Sequence, residues 1–488
     1  MTQSGSDETP KQTKGDTYHT PKPEQTTPRE FRAPDLQGRM RFFPPAVTLI
    51  LGMLLLLITG FCLLLLPICR VSNEPINYFH VFFTASSAIT VTGLVVVETS
   101  SYWTFYGQGV ICVMILIGGL GWMTFAGSIL AGLRFVRLGP RISISQRLAF
   151  QEVVGASTIG ETVSKLREAF IIATVVQLLG GLLLSYHFRY SMNMDIFESF
   201  WHGFFQAISG FNNAGFTTIE GSRSLSSFSK DYFVLIVMGS LIMVGGLSFQ
   251  VMRDLILLRW VNRVHVDTKI VIFLSVVLWI MGSIVIIALE NDSPHFDTMS
   301  FGEKVLNSTF QAITARAAGF STISFYDVVP ATSFIVMLLM FIGTASASAG
   351  GGIRLNTLGV LLATIAASIR GREHVTCFGR EIDSRQVNRA ITITLFAGLF
   401  VFLVAFILSF TEQGGLKFIY LLFEACSAVG TVGLSAGITP NLSSIGQLLI
   451  ILTMIIGRLG PLVLGLSLID KERKATQFRY PQERVRIG

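Results

Sequence analysis

Charge is what this chain has least of. Charged residues make up 14% of its 488 positions, while 51% are hydrophobic. A soluble domain carries about 25% charged residues. With a mean hydropathy of +0.61, the composition excludes a string of water-soluble domains and implies a polytopic membrane protein. Cysteine is scarce as well: five, with no CxxC pair, so neither a disulfide framework nor a zinc site is indicated. The histidines at 80, 187, 202, 265, 295 and 374 have no ligand spacing. No nucleophile–base constellation and no Rossmann glycine fingerprint is present, so an enzyme and a bound organic cofactor are not expected. The excess of basic residues (net charge +7) sits in connecting segments. Positive-inside topology accounts for it better than nucleic-acid binding does.

What is abundant is apolar sequence. Eight stretches reach the roughly 20 residues that a bilayer-spanning helix needs: 47–69, 104–133, 168–188, 232–258, 270–290, 332–368, 389–410 and 446–470. Residues 1–43 are polar and rich in Lys, Thr, Glu and Pro; they read as a disordered cytosolic tail rather than a signal peptide.

Between each odd-numbered span and the next lies a repeated phrase: Phe, a polar residue, Ala, any residue, a hydroxyl, then Gly before a large apolar residue. The copies run Phe83-Thr84-Ala85-Ser86-Ser87 to Gly93-Leu94, and Phe205-Gln206-Ala207-Ile208-Ser209 to Gly215-Phe216. They continue with Phe310-Gln311-Ala312-Ile313-Thr314 to Gly319-Phe320, and Phe423-Glu424-Ala425-Cys426-Ser427 to Gly433-Leu434. Phe and Gly are ten, ten, nine and ten residues apart. Four copies at near-constant spacing are an internal repeat. The stretch before each glycine is too short to cross a bilayer and too apolar for a surface loop, which predicts a re-entrant helix followed by an extended filter strand. Ser87, Ser209, Thr314 and Ser427 should tie strand to helix or bond back to helix carbonyls.

The expected fold is an all-α polytopic membrane protein. It has four span–pore-loop–span repeats, and so eight transmembrane helices, around a pseudo-fourfold axis. The repeats are 44–141, 142–264, 265–371 (with a broken second span) and 372–471, followed by a cytosolic tail, 472–488. Basic residues such as Arg134, Arg137, Arg253, Arg370, Arg372 and Lys471 follow the even spans. This places both termini in the cytosol and brings all four loops in from outside. Two spans per repeat make the repeats parallel, unlike the inverted repeats of rocking transporters.

A permeating cation exchanges water for fixed oxygens, and backbone carbonyls can supply them. The filter candidates are Val91, Thr92 and Gly93; Asn213, Ala214 and Gly215; Ala317, Ala318 and Gly319; and Thr431, Val432 and Gly433. None is acidic, which favours a monovalent ion. Thr90, Asn212 and Arg316 stand just before these triplets as further metal-side candidates, with ligation mainly by carbonyls. For Arg316, like charge disfavours ion contact, and an ion pair with Glu424 is expected instead.

A second repeat lies in the even spans, 24 to 31 residues after the filter glycines: Ile117-Gly118-Gly119-Leu120, Val244-Gly245-Gly246-Leu247, Ala349-Gly350-Gly351-Gly352 and Ile456-Gly457-Arg458-Leu459. Small residues allow close helix packing. The run Gly343, Thr344, Ala345, Ser346, Ala347, Ser348, Ala349, Gly350, Gly351, Gly352 predicts a helix broken below the filter, since glycine costs about 1 kcal/mol per residue in a helix. Irregular backbone at that depth must be buried or line water. Arg458 replaces a repeat glycine within a span. Such a charge faces the interior, as an electrostatic barrier anchoring the 343–352 loop or paired with a buried acid.

Thr90-Val91-Thr92-Gly93-Leu94, Asn212-Asn213-Ala214-Gly215-Phe216, Arg316-Ala317-Ala318-Gly319-Phe320 and Gly430-Thr431-Val432-Gly433-Leu434 resemble the four pore loops of the Trk/Ktr/HKT cation transporters. The similarity extends through Gly350-Gly351-Gly352-Ile353-Arg354 and Gly457-Arg458-Leu459-Gly460-Pro461 and covers about 45–470. Eight spans make the chain more like the Ktr-type potassium-translocating membrane subunit than Trk proteins, which usually add two. The resemblance implies potassium uptake, often as sodium-dependent symport, by a homodimer on a cytosolic ring of nucleotide-binding regulatory subunits. It also implies that residues 343–352 act as the gate. Glycine at all four filter positions implies K+ as the transported ion, with Na+ as a further one. A sodium-selective or poorly selective pore stays open as the alternative. A sealed receptor or scaffold would not need the repeated loops.

Overall fold

A computed structural model describes residues 45–71, 76–119, 162–219, 224–256, 264–346, 348, 350–412 and 415–474. The N-terminal tail, Ala347, Ala349, the basic residues between 134 and 147 and most of 472–488 lie outside the described residues.

Apart from one short hairpin, the regular structure of the described residues is helical. In order, the helices of eight residues or more are α1 Pro45–Leu64, α2 Tyr78–Thr90, α3 Phe105–Gly119, α4 Thr162–Ser191, α5 Ile196–Phe211, α6 Tyr232–Gly245 and α7 Phe249–Ile256. They continue with α8 Val266–Glu290, α9 Phe301–Thr314, α10 Pro330–Phe341, α11 Leu355–Ile369, α12 Ser384–Thr411, α13 Phe418–Gly430 and α14 Ser444–Lys474. The hairpin, β1 Thr376–Cys377 with β2 Arg380–Glu381, is antiparallel and joins α11 to α12. Among the described residues, three helices are long and apolar enough to cross a membrane: Arg167–Ser191, α8 and α12. A fourth qualifies if the bent pair α6–α7 is counted as one span.

Four helices follow from the repeated phrase: α2, α5, α9 and α13. At 13 to 16 residues they are about 20–24 Å long, short of a bilayer core. Their starts are set by local chemistry. Asn77 caps α2, and Ser300 with Glu303 forms a capping box on α9, satisfying N–H groups that have no helical partner. α2, α5 and α13 run two or three residues beyond the hydroxyl residue of the phrase, and α9 ends on it.

Each loop helix packs against the outer helix of its own repeat: α2 on α1, α5 on α4, α9 on α8 and α13 on α12. The inner helices pack forward. α3 touches α5, α6 touches α9, α10 touches α13, and α14 returns to α2. These contacts close on themselves. The four large apolar clusters sit at the same joints. One gathers Phe216 against Val91 and Met114, a second Phe320 against Phe211, a third Val432 against Met340, and a fourth Leu94 against Met454. Outward faces stay apolar: Leu395, Leu399, Phe402, Phe406 and Phe410 of α12 are all more than half exposed, an apolar stripe too large for contact with water.

Between α10 and α11, residues 342–354 leave the helix. The stretch 232–258, expected as one unbroken span, bends by 107° between α6 and α7. Gly246 and the following residues leave the helix, and the Ser248 hydroxyl restarts it by accepting the Val251 N–H at 3.2 Å.

Candidate ion pathway

Where α2, α5 and α13 end, the chain turns left-handed on a residue that bears a side chain: Val91 (φ 57°), Asn213 (φ 56°) and Thr431 (φ 47°). A β-branched residue in this region is strained. The turn lets the next N–H reach back into the helix: Thr92 to the Ser87 carbonyl (2.9 Å), Ala214 to Ser209 (2.8 Å) and Val432 to Ser427 (2.9 Å). The third loop lacks this residue. There Ala318 bonds to the Thr314 carbonyl at 3.0 Å through ordinary helical turns, and so its phrase is nine residues long rather than ten. The strands are therefore kinked at entry rather than extended throughout.

The glycine follows, with φ +89° at Gly93, +74° at Gly215, +72° at Gly319 and +94° at Gly433. This conformation is open to glycine and rarely to other residues. A second constraint is neighbour contact. A methyl group on Gly93 would overlap the Ala214 carbonyl oxygen, and one on Gly215 would lie 2.8 Å from the Ala318 oxygen. One on Gly319 would overlap the Val432 oxygen, and one on Gly433 the Thr92 oxygen. Each loop thus lays the carbonyl before its glycine against the glycine of another loop, in the order 1–2–3–4–1. The C-terminal ends of four helices stop at this ring, each carrying about half a negative charge. Carbonyl oxygens and helix ends together give a site suited to a cation.

The motif's other residues brace the ring. Ser87 and Ser427 accept the N–H of Gly93 and Gly433, each at 3.0 Å. Ser209 donates to the Phe216 carbonyl at 2.7 Å. The Thr314 hydroxyl has no hydrogen-bond partner among the described residues. The polar residue after the phenylalanine clamps the chain eleven positions on: Gln206 to Thr217, Gln311 to Thr322 at 3.0 Å, and Glu424 to Ser435. Thr84 instead bonds back to the His80 carbonyl at 2.9 Å. Glu424 also accepts the Ala436 N–H at 3.1 Å and the Thr439 hydroxyl at 3.0 Å.

Glu424 is therefore not the partner of Arg316, and the expected ion pair is absent. Arg316 donates to the Gly343 carbonyl at 3.1 Å and stacks over Trp279 at 5.6 Å. Its charge is carried away from the ring and holds the start of the 343–352 segment. Thr90 donates to the Ser86 carbonyl at 2.7 Å and lies 2.8 Å from the Thr92 hydroxyl. Asn212 donates from Nδ2 to the Ile208 carbonyl at 2.9 Å, while its Oδ1 has no hydrogen-bond partner among the described residues. The Asn213 amide, fully buried, has no hydrogen-bond partner at either end among the described residues. A charge swap between Arg316 and Glu424 should give no rescue. Glu424→Ala should lose about 2–3 kcal/mol of stability by leaving its donors unpaired. Thermal unfolding in detergent, with Glu424→Gln as the partial restoration, checks this.

The glycine pairs of the inner helices meet the ends of the loop helices. A methyl on Gly118, Gly245 or Gly457 would strike the carbonyl of Ile89, Phe211 or Val429, each four residues before its filter glycine. The second position faces the next loop: Gly119 abuts Asn212, and Gly351 abuts Thr431. Arg458, at that position in the fourth repeat, donates to the Gly118 carbonyl at 2.5 Å. Helix packing is thus one role of these glycines.

The 343–352 segment leaves α10 and returns beside it. Gly343 N–H bonds to the Ile353 carbonyl (2.9 Å), and Leu355 N–H to the Thr344 carbonyl (3.0 Å), closing a neck. The segment also reaches the other broken span, where Ala345 N–H donates to the Gly246 carbonyl at 3.2 Å. Arg354 donates to the Gly350 carbonyl. The sequence reading gave Arg354 no part in holding the segment, although its place at the end of a glycine run was a usable signal.

Comparison with known proteins bears on the family and the fold. A family described as TrkH, cation transport protein, matches residues 62–473. The chain is 36% identical to the Ktr system potassium uptake protein B of Bacillus subtilis, over 92% of this chain and 98% of that one. It is 33% identical to the potassium/sodium uptake protein NtpJ of Enterococcus hirae, over 91% and 97%. The crystal structure of the potassium transporter TrkH from Vibrio parahaemolyticus shares the fold, with a TM-score of 0.67 at 15% identity over 88% of this chain and 86% of that one. The two repeats of glycines, the loop helices and these matches have one conclusion: the chain is a membrane protein belonging to the TrkH family of cation transport proteins.

Proposed function

We propose that this protein is the potassium-translocating subunit of a potassium uptake system. K+ passes through a single path on the pseudo-fourfold axis of eight spans, and both termini are cytosolic. The observation that carries this is the cyclic contact of Gly93, Gly215, Gly319 and Gly433 with one another's preceding carbonyls. The filter comprises the triplets ending in those glycines. The 343–352 segment, with Arg458, is the gate. Relatives named as Ktr system potassium uptake proteins support the choice of K+ and a cytosolic regulatory partner. The full assembly we propose is a homodimer on a ring of nucleotide-binding subunits. A path that also takes sodium, or couples to it, is the second reading, favoured by the relative named for both ions.

Proteoliposomes containing the purified protein test this. Rubidium uptake should depend on the protein and be competed by potassium at much lower concentration than by sodium. Equal competition by the two ions would favour the second reading, and no uptake with or without a membrane potential would reject both.

A further inference from the structure

One side chain below the sixth-span break joins three elements. Asn356, in the first turn of α11, accepts the Ser346 N–H on Oδ1 at 3.2 Å and donates from Nδ2 to Asp267 Oδ1 at the start of α8. Ser346 lies in the middle of the 343–352 segment. Asp267 neighbours the other broken span: Asp254 of α7 accepts the Thr268 hydroxyl at 2.6 Å and faces His265 Nδ1 at 3.2 Å. Asp254 and His265 are charged neighbours that act on Asp267 in opposite senses. An amide suits this position because it both donates and accepts. A carboxylate at 356 could accept from Ser346 but could not donate to Asp267.

We propose that Asn356 is a positioning residue for the intramembrane segment, latching Ser346 to Asp267 and so holding the segment across the ion path. The inference rests on the pore reading above. It also sets a pH dependence. An N–H bonded to a carboxylate is about twice as strong as one bonded to a neutral group, so protonating Asp267 weakens the latch. Acidifying the side on which Asp267 lies should therefore raise flux, and Asp267→Asn should flatten that response.

The test uses the full-length protein, with rubidium flux in proteoliposomes and deuterium exchange of the peptide containing Ser346 as parallel readouts. Asn356→Ala should raise exchange there and flux by at least fivefold, since both hydrogen bonds of the latch are lost and each is worth about that factor, with exchange in α12 unchanged. Asn356→Asp should behave the same way at neutral pH and revert toward wild type as pH falls. The double variant Asn356→Asp with Asp267→Asn restores a donor–acceptor pair in reversed roles, and should restore both readouts. Unchanged exchange in Asn356→Ala, or a double variant no better than Asn356→Asp alone, would overturn the latch. Failure of the wild type to carry rubidium would count against the pore reading, with the exchange data still deciding on the latch.

Discussion

Gly433→Ala should reduce rubidium uptake by about 100-fold at matched amounts of protein. At φ +94° any residue with a Cβ is strained by about 1–2 kcal/mol. The new methyl would also overlap the Thr92 carbonyl oxygen and lie 3.1 Å from the Gly93 Cα. These are backbone atoms that no rotamer change can move, and overpacking of this kind costs about 1–3 kcal/mol. Together, about 3 kcal/mol corresponds to about two orders of magnitude in the population of an intact ring. Gly109→Ala is the control. That glycine is helical, and its added methyl meets only a Trp201 ring carbon at 3.8 Å, so uptake should stay near wild type. Uptake by Gly433→Ala within twofold of wild type would mean that the four glycines do not form the path.

Arg458→Ala should raise uptake by about tenfold. The guanidinium crosses from α14 to the Gly118 carbonyl, beside the point where α3 meets the end of the first loop helix. A fixed positive charge beside the path repels a permeating cation, and a barrier of about 1.4 kcal/mol corresponds to the tenfold. Arg458→Lys separates charge from geometry: it keeps the charge and loses the planar fork. If electrostatics form the barrier, the lysine variant stays near wild type and the alanine variant is fast. Unchanged uptake in both would remove Arg458 from the gate.

The sequence was most legible where the same physical demand occurs several times. Ten residues from Phe to Gly, written three times, encode a helix end, a left-handed turn and a glycine pressed against a neighbour. The nine-residue copy records the loss of that turn. The clamp from Gln206, Gln311 and Glu424 to a hydroxyl eleven positions on was also present in the sequence. It escaped notice because the polar position was read only as part of a motif. Partner choice was not legible. Arg316 and Glu424 look complementary as a pair of opposite charges, yet each finds nearer partners, Gly343 for the one and Ser435, Ala436 and Thr439 for the other. The break at Gly246 was hidden because Gly245-Gly246 also satisfies helix packing, and sequence alone does not separate a contact glycine from a bend. Arg354 was passed over because its role depends on the path of the glycine-rich segment, which local pattern does not determine.

The most direct test of the shared path is rubidium anomalous scattering from crystals of the protein. The account predicts a peak on the axis within coordination distance of the Thr92, Ala214, Ala318 and Val432 carbonyl oxygens. Rubidium bound elsewhere in the membrane region, with nothing at that ring, would contradict it.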